Sequence, residues 1–156
     1  MTPAIELAEK NKIKYAVHQY NHNPNVNSYG EEAAQNLGID QARVFKTLVV
    51  ELNNKELIVG VVPVKGSLNL KAIAAAVKAK KATMADKLKV QRTTGYVIGG
   101  VSPLGQRKQL TTIIDTSAST FETIFVSAGK RGLDIELSAH DLAALSNALF
   151  APISNV

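Results

Sequence analysis

Val44-Phe45-Lys46-Thr47-Leu48-Val49-Val50 is the stretch on which the reading of this chain turns. It is crowded with β-branched and aromatic residues, and both of its faces are apolar, as in a strand covered on either side. Alternation puts Lys46 on the face of Val44, Leu48 and Val50. An ammonium among such neighbours loses its water, a cost that only an anion, a set of carbonyls or a wet cleft offsets. A functional reading of Lys46 therefore stands beside a structural one, in which the strand lies at an edge and the lysine snorkels to solvent.

Working outward, Asn53-Asn54-Lys55 makes a turn, and residues 56–64 return as a second apolar strand. Upstream, Pro3 opens a helix running to about Asn11, and residues 15–20 form a short strand. Asn21 to Asn27 is a polar loop broken by Pro24. Ser28 with Glu31 makes a capping box for a helix that stops at Leu37, before Gly38. Downstream, Asn69 caps an alanine-rich helix over 70–79, and residues 85–90 form another helical piece. Residues 96–98, 111–115, 123–127 and 133–137 read as strands, the last two joined by a turn at 129–132. Ser138 with Asp141 caps a final helix to about Phe150. No linker or repeat interrupts the chain, so residues 1–156 are expected to form a single domain. Strands and helices mix without strict alternation, which favours an α/β domain with a mixed sheet wrapped by helices.

Composition narrows the function classes. The 156 residues are 46% hydrophobic and 20% charged, ordinary values for a globular domain. No apolar run approaches the roughly 18 residues that span a bilayer. The amphipathic start does not read as a signal peptide, so no membrane partner and a cytoplasmic location are expected. Cysteine is absent, which removes thiolate catalysis and Cys-ligated zinc. The net charge of +5 is unevenly spread. Ten of the 18 basic residues lie between Lys65 and Lys108, a stretch whose only acid is Asp86. Such a segment attracts phosphate backbones; a solvated helix face is the alternative, and the near-absence of acids favours the polyanion partner.

Two glycine loops complete the pattern. Gly99-Gly100-Val101-Ser102-Pro103 follows a short apolar run, and Ser127-Ala128-Gly129 precedes Leu133-Asp134. Glycine lets a ligand approach the backbone, so that successive N–H groups point at one oxyanion. Together with Lys46-Thr47-Leu48-Val49 and Ser28-Tyr29-Gly30-Glu31, these motifs resemble the YbaK/EbsC family, free-standing relatives of the editing domain of bacterial prolyl-tRNA synthetases. Within it the chain looks most like the Cys-tRNA(Pro) deacylase branch.

The resemblance implies a single α/β domain with a mixed, barrel-like sheet surrounded by helices, and a cleft for the 3′ acceptor end of a misacylated tRNA. It implies catalytic roles for Lys46, Gly99, Gly100 and Val101. Tyr20, Phe45, Thr47, Ser102, Pro103, Ser127, Ala128, Gly129 and Asp134 are the substrate-binding residues it carries over. It implies hydrolytic correction of a synthetase's error. The chain shows no obvious anticodon-reading module, so a transient complex with prolyl-tRNA synthetase is expected to lend selectivity.

The chemistry is consistent with that expectation. The histidines are His18, His22 and His140, and none stands in an order that a Ser-His-Asp triad justifies. Neither a metal nor a cofactor is expected. A chain short of nucleophiles suggests that the substrate supplies one. In the cysteine-specific branch this is the thiol of the esterified cysteine, well placed to attack its own carbonyl. A non-catalytic tRNA- or synthetase-binding module and a nucleotide-binding domain remain the alternatives. The preferred misacyl group, Cys or Ala, and the oligomeric state are not legible.

Overall fold

The computed structural model describes residues 1–25 and 28–155. The expected polar loop at 21–27 falls partly on residues 26 and 27, outside the described residues. The chain opens with α1 (Pro3–Lys10), β1 (Ala16–Gln19) and α2 (Tyr29–Leu37). The hairpin β2 (Phe45–Leu52) and β3 (Leu57–Pro63) follows, then β4 (Ser67–Leu68), α3 (Leu70–Ala76), β5 (Ala82–Met84) and α4 (Lys87–Thr94). After β6 (Thr111–Asp115) and a 3-10 turn come β7 (Ile124–Lys130), β8 (Leu133–Leu137), α5 (Ala139–Ser146), β9 (Leu149–Ala151) and β10 (Ser154–Asn155).

β2 and β3 are antiparallel, with Lys46 opposite Val62 and Thr47 opposite Val61. β6 and β9 extend the sheet in parallel beyond β3, and β5 pairs with the far end of β2, for the order β5-β2-β3-β6-β9. A second, antiparallel sheet runs β1-β8-β7, and β10 pairs with β4. The two larger sheets meet where Val44 bridges Phe125, whose N–H donates to the Arg43 carbonyl at 2.9 Å. Among the described residues the strands close no ring. The sheet is mixed, as expected, but it is open rather than a barrel.

Both faces of the main sheet are apolar because both are covered. Phe45, Val49, Val59, Val61 and Ile114 pack with α1, α5, β7 and β8. On the reverse face Val50, Ile58, Val62 and Ile113 meet Ile73 and Ala74 of α3, together with Ile153. A third cluster joins Ala33 and Ala34 of α2 to Val44, Val64 and Phe125. Lys46 thus lies between Val44 of that third cluster and Leu48, packed on the α3 side.

Several expectations change in the structure. Ser28 begins α2, but its hydroxyl makes no capping bond. Residues 85–90 contribute only the start of α4, which Asp86 caps by accepting from Lys89 N–H at 3.2 Å. Residues 96–98 form no strand, because Tyr96 turns inward to donate its hydroxyl to the Leu104 carbonyl at 2.6 Å. The last helix ends at Ser146, where Asn147 turns left-handed and releases β9 to the sheet edge.

Ile113 is fully buried in β6, between β3 and β9. Ile113→Ala should cost about 2–5 kcal/mol in denaturant unfolding. A change under about 1 kcal/mol would mean that this face is not the tightly packed core described.

Candidate active site

The ladder leaves a gap beside Lys46. The Val64 N–H donates to the Val44 carbonyl and the Leu52 N–H to that of Glu56, both at 2.8 Å. These bonds set the phase, so that even-numbered residues of β2 bond to β3 and odd-numbered ones turn to the opposite edge. There the Val49 carbonyl accepts from Ala85 N–H at 3.1 Å and β5 pairs from Val50 onward, while β7 bridges only at Val44. Thr47 therefore directs its N–H and carbonyl into the interval between them. Its buried hydroxyl has no hydrogen-bond partner among the described residues.

A cavity of about 460 Å³ opens at this gap. Val44 and the β2 residues from Phe45 to Val49, Lys46 among them, supply one wall. Ser28, Tyr29 and Glu31 of the α2 end, Met84 and Ala85 after β5, and Lys87 and Val90 of α4 line the sides. Ile98, Gly99 and Val101 come from the glycine loop, and Tyr20, Ser127 and Asp134 from the second sheet. Lys46 is half-buried, and its ammonium makes no ion pair or hydrogen bond among the described residues. It is a cation in a largely apolar hollow, and no carboxylate among the described residues lies within ion-pairing distance of it.

Asp134 is the second charged group of consequence. It is 5% exposed, and burial pushes its carboxyl up to about 7. Tyr20 is pushed up to about 12 by burial, with the neighbouring Asp134 adding to the shift. β7 and β8 place Ser127 opposite Asp134. The Ser127 hydroxyl accepts from Gly129 N–H at 3.1 Å, which leaves its own proton free for another acceptor.

The glycine loop is held from several sides. Ile98 N–H donates to Gln91 Oε1 of α4 at 3.1 Å, and Gly100 N–H donates to the Val97 carbonyl at 2.9 Å. Gly100 is thus spent on the loop's own turn, whereas Gly99 and Val101 N–H have no acceptor among the described residues. Gly99, at a φ of 97°, packs against the Tyr29 ring. That ring lies 4.3 Å under the Arg131 guanidinium, which also donates to Glu32 Oε1 at 3.3 Å. Arg131 thereby fastens α2 to the β7–β8 turn, across the cavity's rim.

Of the residues expected from sequence, the cavity gathers Lys46, Gly99, Val101, Tyr20, Phe45, Thr47, Ser127 and Asp134. Gly100, Ser102, Pro103, Ala128 and Gly129 are not among its lining residues. The buried Ser102 hydroxyl accepts from Leu104 N–H at 3.2 Å, and the Ala128 carbonyl accepts from the Thr2 hydroxyl. Gly129, at a φ of 106°, packs on Tyr96. Sequence reasoning missed Met84, Lys87 and Val90, for which only the basic segment offered a hint. His18 and His22 have the spacing of a helical zinc pair, but they lie on β1 and in the loop beyond it. Among the described residues no three His, Asp or Glu side chains converge on a metal position.

Residues 23–145 match the family model of the aminoacyl-tRNA editing domain. The chain belongs to that family. It is 38% identical over 153 residues to EbsC of Enterococcus faecalis, a protein provisionally named a Cys-tRNA(Pro)/Cys-tRNA(Cys) deacylase, covering 98% of this chain and 93% of that one. Two solved structures share the fold of this editing domain. One is a hypothetical protein with a TM-score of 0.87 and 21% identity, covering 99% of this chain and 100% of that one. The other is described provisionally as a trans-editing enzyme for prolyl-tRNA synthetase, with a TM-score of 0.81 and 21% identity, covering 100% of this chain and 99% of that one.

A methyl group on Gly100 would fall 2.8 Å from Lys130 Cα and 2.9 Å from Arg131 N. Gly100→Ala should therefore destabilise the editing domain by about 1–3 kcal/mol, and an unchanged melting temperature would contradict this packing. Asp134 holds its proton more tightly folded than unfolded, so protonation favours the fold. Its stabilisation is complete below the ordinary carboxylate range and is lost as pH rises toward about 7. Asp134→Asn should remove that decline in melts between pH 4 and about 7, and an identical pH profile would refute the assignment.

Proposed function

We propose that residues 1–156 act as one trans-editing deacylase that removes a wrong amino acid, most readily cysteine, from tRNA(Pro). The observation that carries this reading is the unpaired Lys46 ammonium beside the orphaned Thr47 hydroxyl, in a family of editing domains. A phosphate or ribose of the terminal nucleotide supplies what both lack. EbsC, 38% identical, bears a name with the same substrate class.

The cavity supplies position and charge, and the substrate supplies the nucleophile. The cysteine sulfur attacks its own ester carbonyl, forming a carbon–sulfur bond. Collapse breaks the ester bond to the ribose oxygen, which takes up the thiol's proton, and a cyclic thiolactone leaves. Orientation of this kind replaces a large part of what a protein nucleophile contributes. The free N–H groups of Gly99 and Val101 are suited to the developing oxyanion. Lys46 holds the terminal nucleotide, and the Asp134 carboxyl faces the aminoacyl group from the opposite wall. The hollow of about 460 Å³ suits a terminal nucleotide with its ester, and a transient cytoplasmic complex with prolyl-tRNA synthetase supplies selectivity for tRNA(Pro).

Purified protein should discharge Cys-tRNA(Pro) faster than Ala- or Pro-charged tRNA(Pro), with activity surviving chelation. Lys46→Ala should lower the rate at least a hundredfold, the scale of one lost transition-state contact to charge. Lys46→Arg should recover part of it, since charge persists while shape changes. Near-normal turnover by Lys46→Ala, or binding of Cys-tRNA(Pro) without hydrolysis by the unmodified protein, would overturn the reading.

A further inference from the structure

Helix α4 separates the cavity from a second depression, of about 400 Å³, on the outer surface. Lys87 and Val90 face the cavity, while Asp86, Leu88, Gln91 and Arg92 line the depression together with Arg107. Arg107 comes from the loop after the glycine turn. Its N–H donates to the Thr94 carbonyl at 2.8 Å, and Lys108 N–H donates to that of Thr93 at 3.2 Å, so this loop is bound to the last turn of α4. Gln91 also holds Ile98 of the cavity's glycine loop, which ties the two hollows into one rigid piece.

The depression sets two arginines against a single acid. Of the ten basic residues between Lys65 and Lys108, only Lys89 has an ion pair among the described residues, with Glu51 at 2.7 Å. Asp86 is the one acid of the depression, and its carboxylate already caps α4. Arg107 donates to the Arg92 carbonyl at 3.4 Å, a helix-end contact with a structural purpose. That contact does not involve the Arg92 guanidinium, which has no hydrogen bond or ion pair among the described residues. Leu88, 66% exposed, stands on the ridge between the hollows, with Met84 at the cavity mouth 53% exposed. Cations set beside exposed apolar side chains suit a single nucleic-acid strand, whose phosphates and base faces need both.

We propose that the depression holds the phosphates of the unpaired nucleotides just before the terminal one, as the strand crosses α4 into the cavity. This rests on the deacylase reading and deepens it, for it makes Arg92 and Arg107 binding residues for the single-stranded 3′ end. The ridge is one helix across, about 10 Å with side chains, a span that the last few nucleotides of an extended strand bridge.

The test compares Arg92→Gln and the double variant Arg92→Gln/Arg107→Gln with unmodified protein, using uncharged tRNA(Pro) with and without its last three nucleotides, and a cysteinyl ester of adenosine. Affinity for intact tRNA should fall roughly tenfold in the double variant. Its plot of log affinity against log salt should flatten by about 1.4, the worth of two single-strand phosphate contacts. Both effects should vanish on trimmed tRNA, while cleavage of the adenosine ester stays unchanged. Arg92→Gln alone, which removes no hydrogen bond or ion pair among the described residues, should show about half the change in salt slope. Equal loss on trimmed and intact tRNA would place the arginines on the duplex and overturn the proposal, as would unchanged affinity or a matching loss on the adenosine ester. Failure of the unmodified protein to cleave any ester would instead count against the deacylase reading, since the binding arm is read without hydrolysis.

Discussion

Lys46 brings a positive charge into a strand whose two faces are otherwise given to burial, and no carboxylate among the described residues pairs with it. That unmet charge is the constraint around which the other features arrange themselves. A cation so placed persists only if water or a ligand reaches it. The cavity at the broken edge of β2 provides that access without opening either apolar layer. The same interruption frees the backbone of Thr47, so a donor, an acceptor, a hydroxyl and an ammonium lie within two residues of each other.

Rigidity around the gap comes from separate elements, each fixed by a contact of its own. Arg131 fastens α2 through Tyr29 and Glu32, Gln91 fastens the glycine loop to α4, and the Val44–Phe125 bridge joins the two sheets below. Orientation is the main contribution available to a site without a strong nucleophile, and orientation needs walls that do not drift. The close fit of Gly100 against the backbone of Lys130 and Arg131 serves the same end.

Much of this was legible in the sequence, and the remainder for physical reasons was not. The β2–β3 hairpin announced itself through two apolar runs around Asn53-Asn54-Lys55, and Asn69, Ser138 and Gly38 marked helix ends by side-chain or glycine capping. Short strands such as β5, β9 and β10 escaped notice because two or three residues carry no period; they exist through their partners. Residues 96–98 have strand composition, yet the buried Tyr96 hydroxyl draws them into a turn. The resemblance to the editing family brought Lys46, Tyr20 and Asp134 into one expected cleft. It did not separate loop residues that face the hollow, such as Gly99 and Val101, from those that support it, such as Gly100 and Ser102. That distinction depends on where each backbone N–H is spent, which only three-dimensional pairing decides. The edge-strand alternative for Lys46 contained part of the answer, for β2 is interior at both ends and open only in its middle.

The most direct test of the central claim is a crystal structure with a non-hydrolysable analogue of 3′-cysteinyl adenosine monophosphate. The account predicts the analogue at the β2 gap, with Lys46 Nζ within hydrogen-bonding distance of its phosphate or ribose and the Thr47 hydroxyl paired. An analogue seated elsewhere, with Lys46 turned away to bulk water, would contradict it.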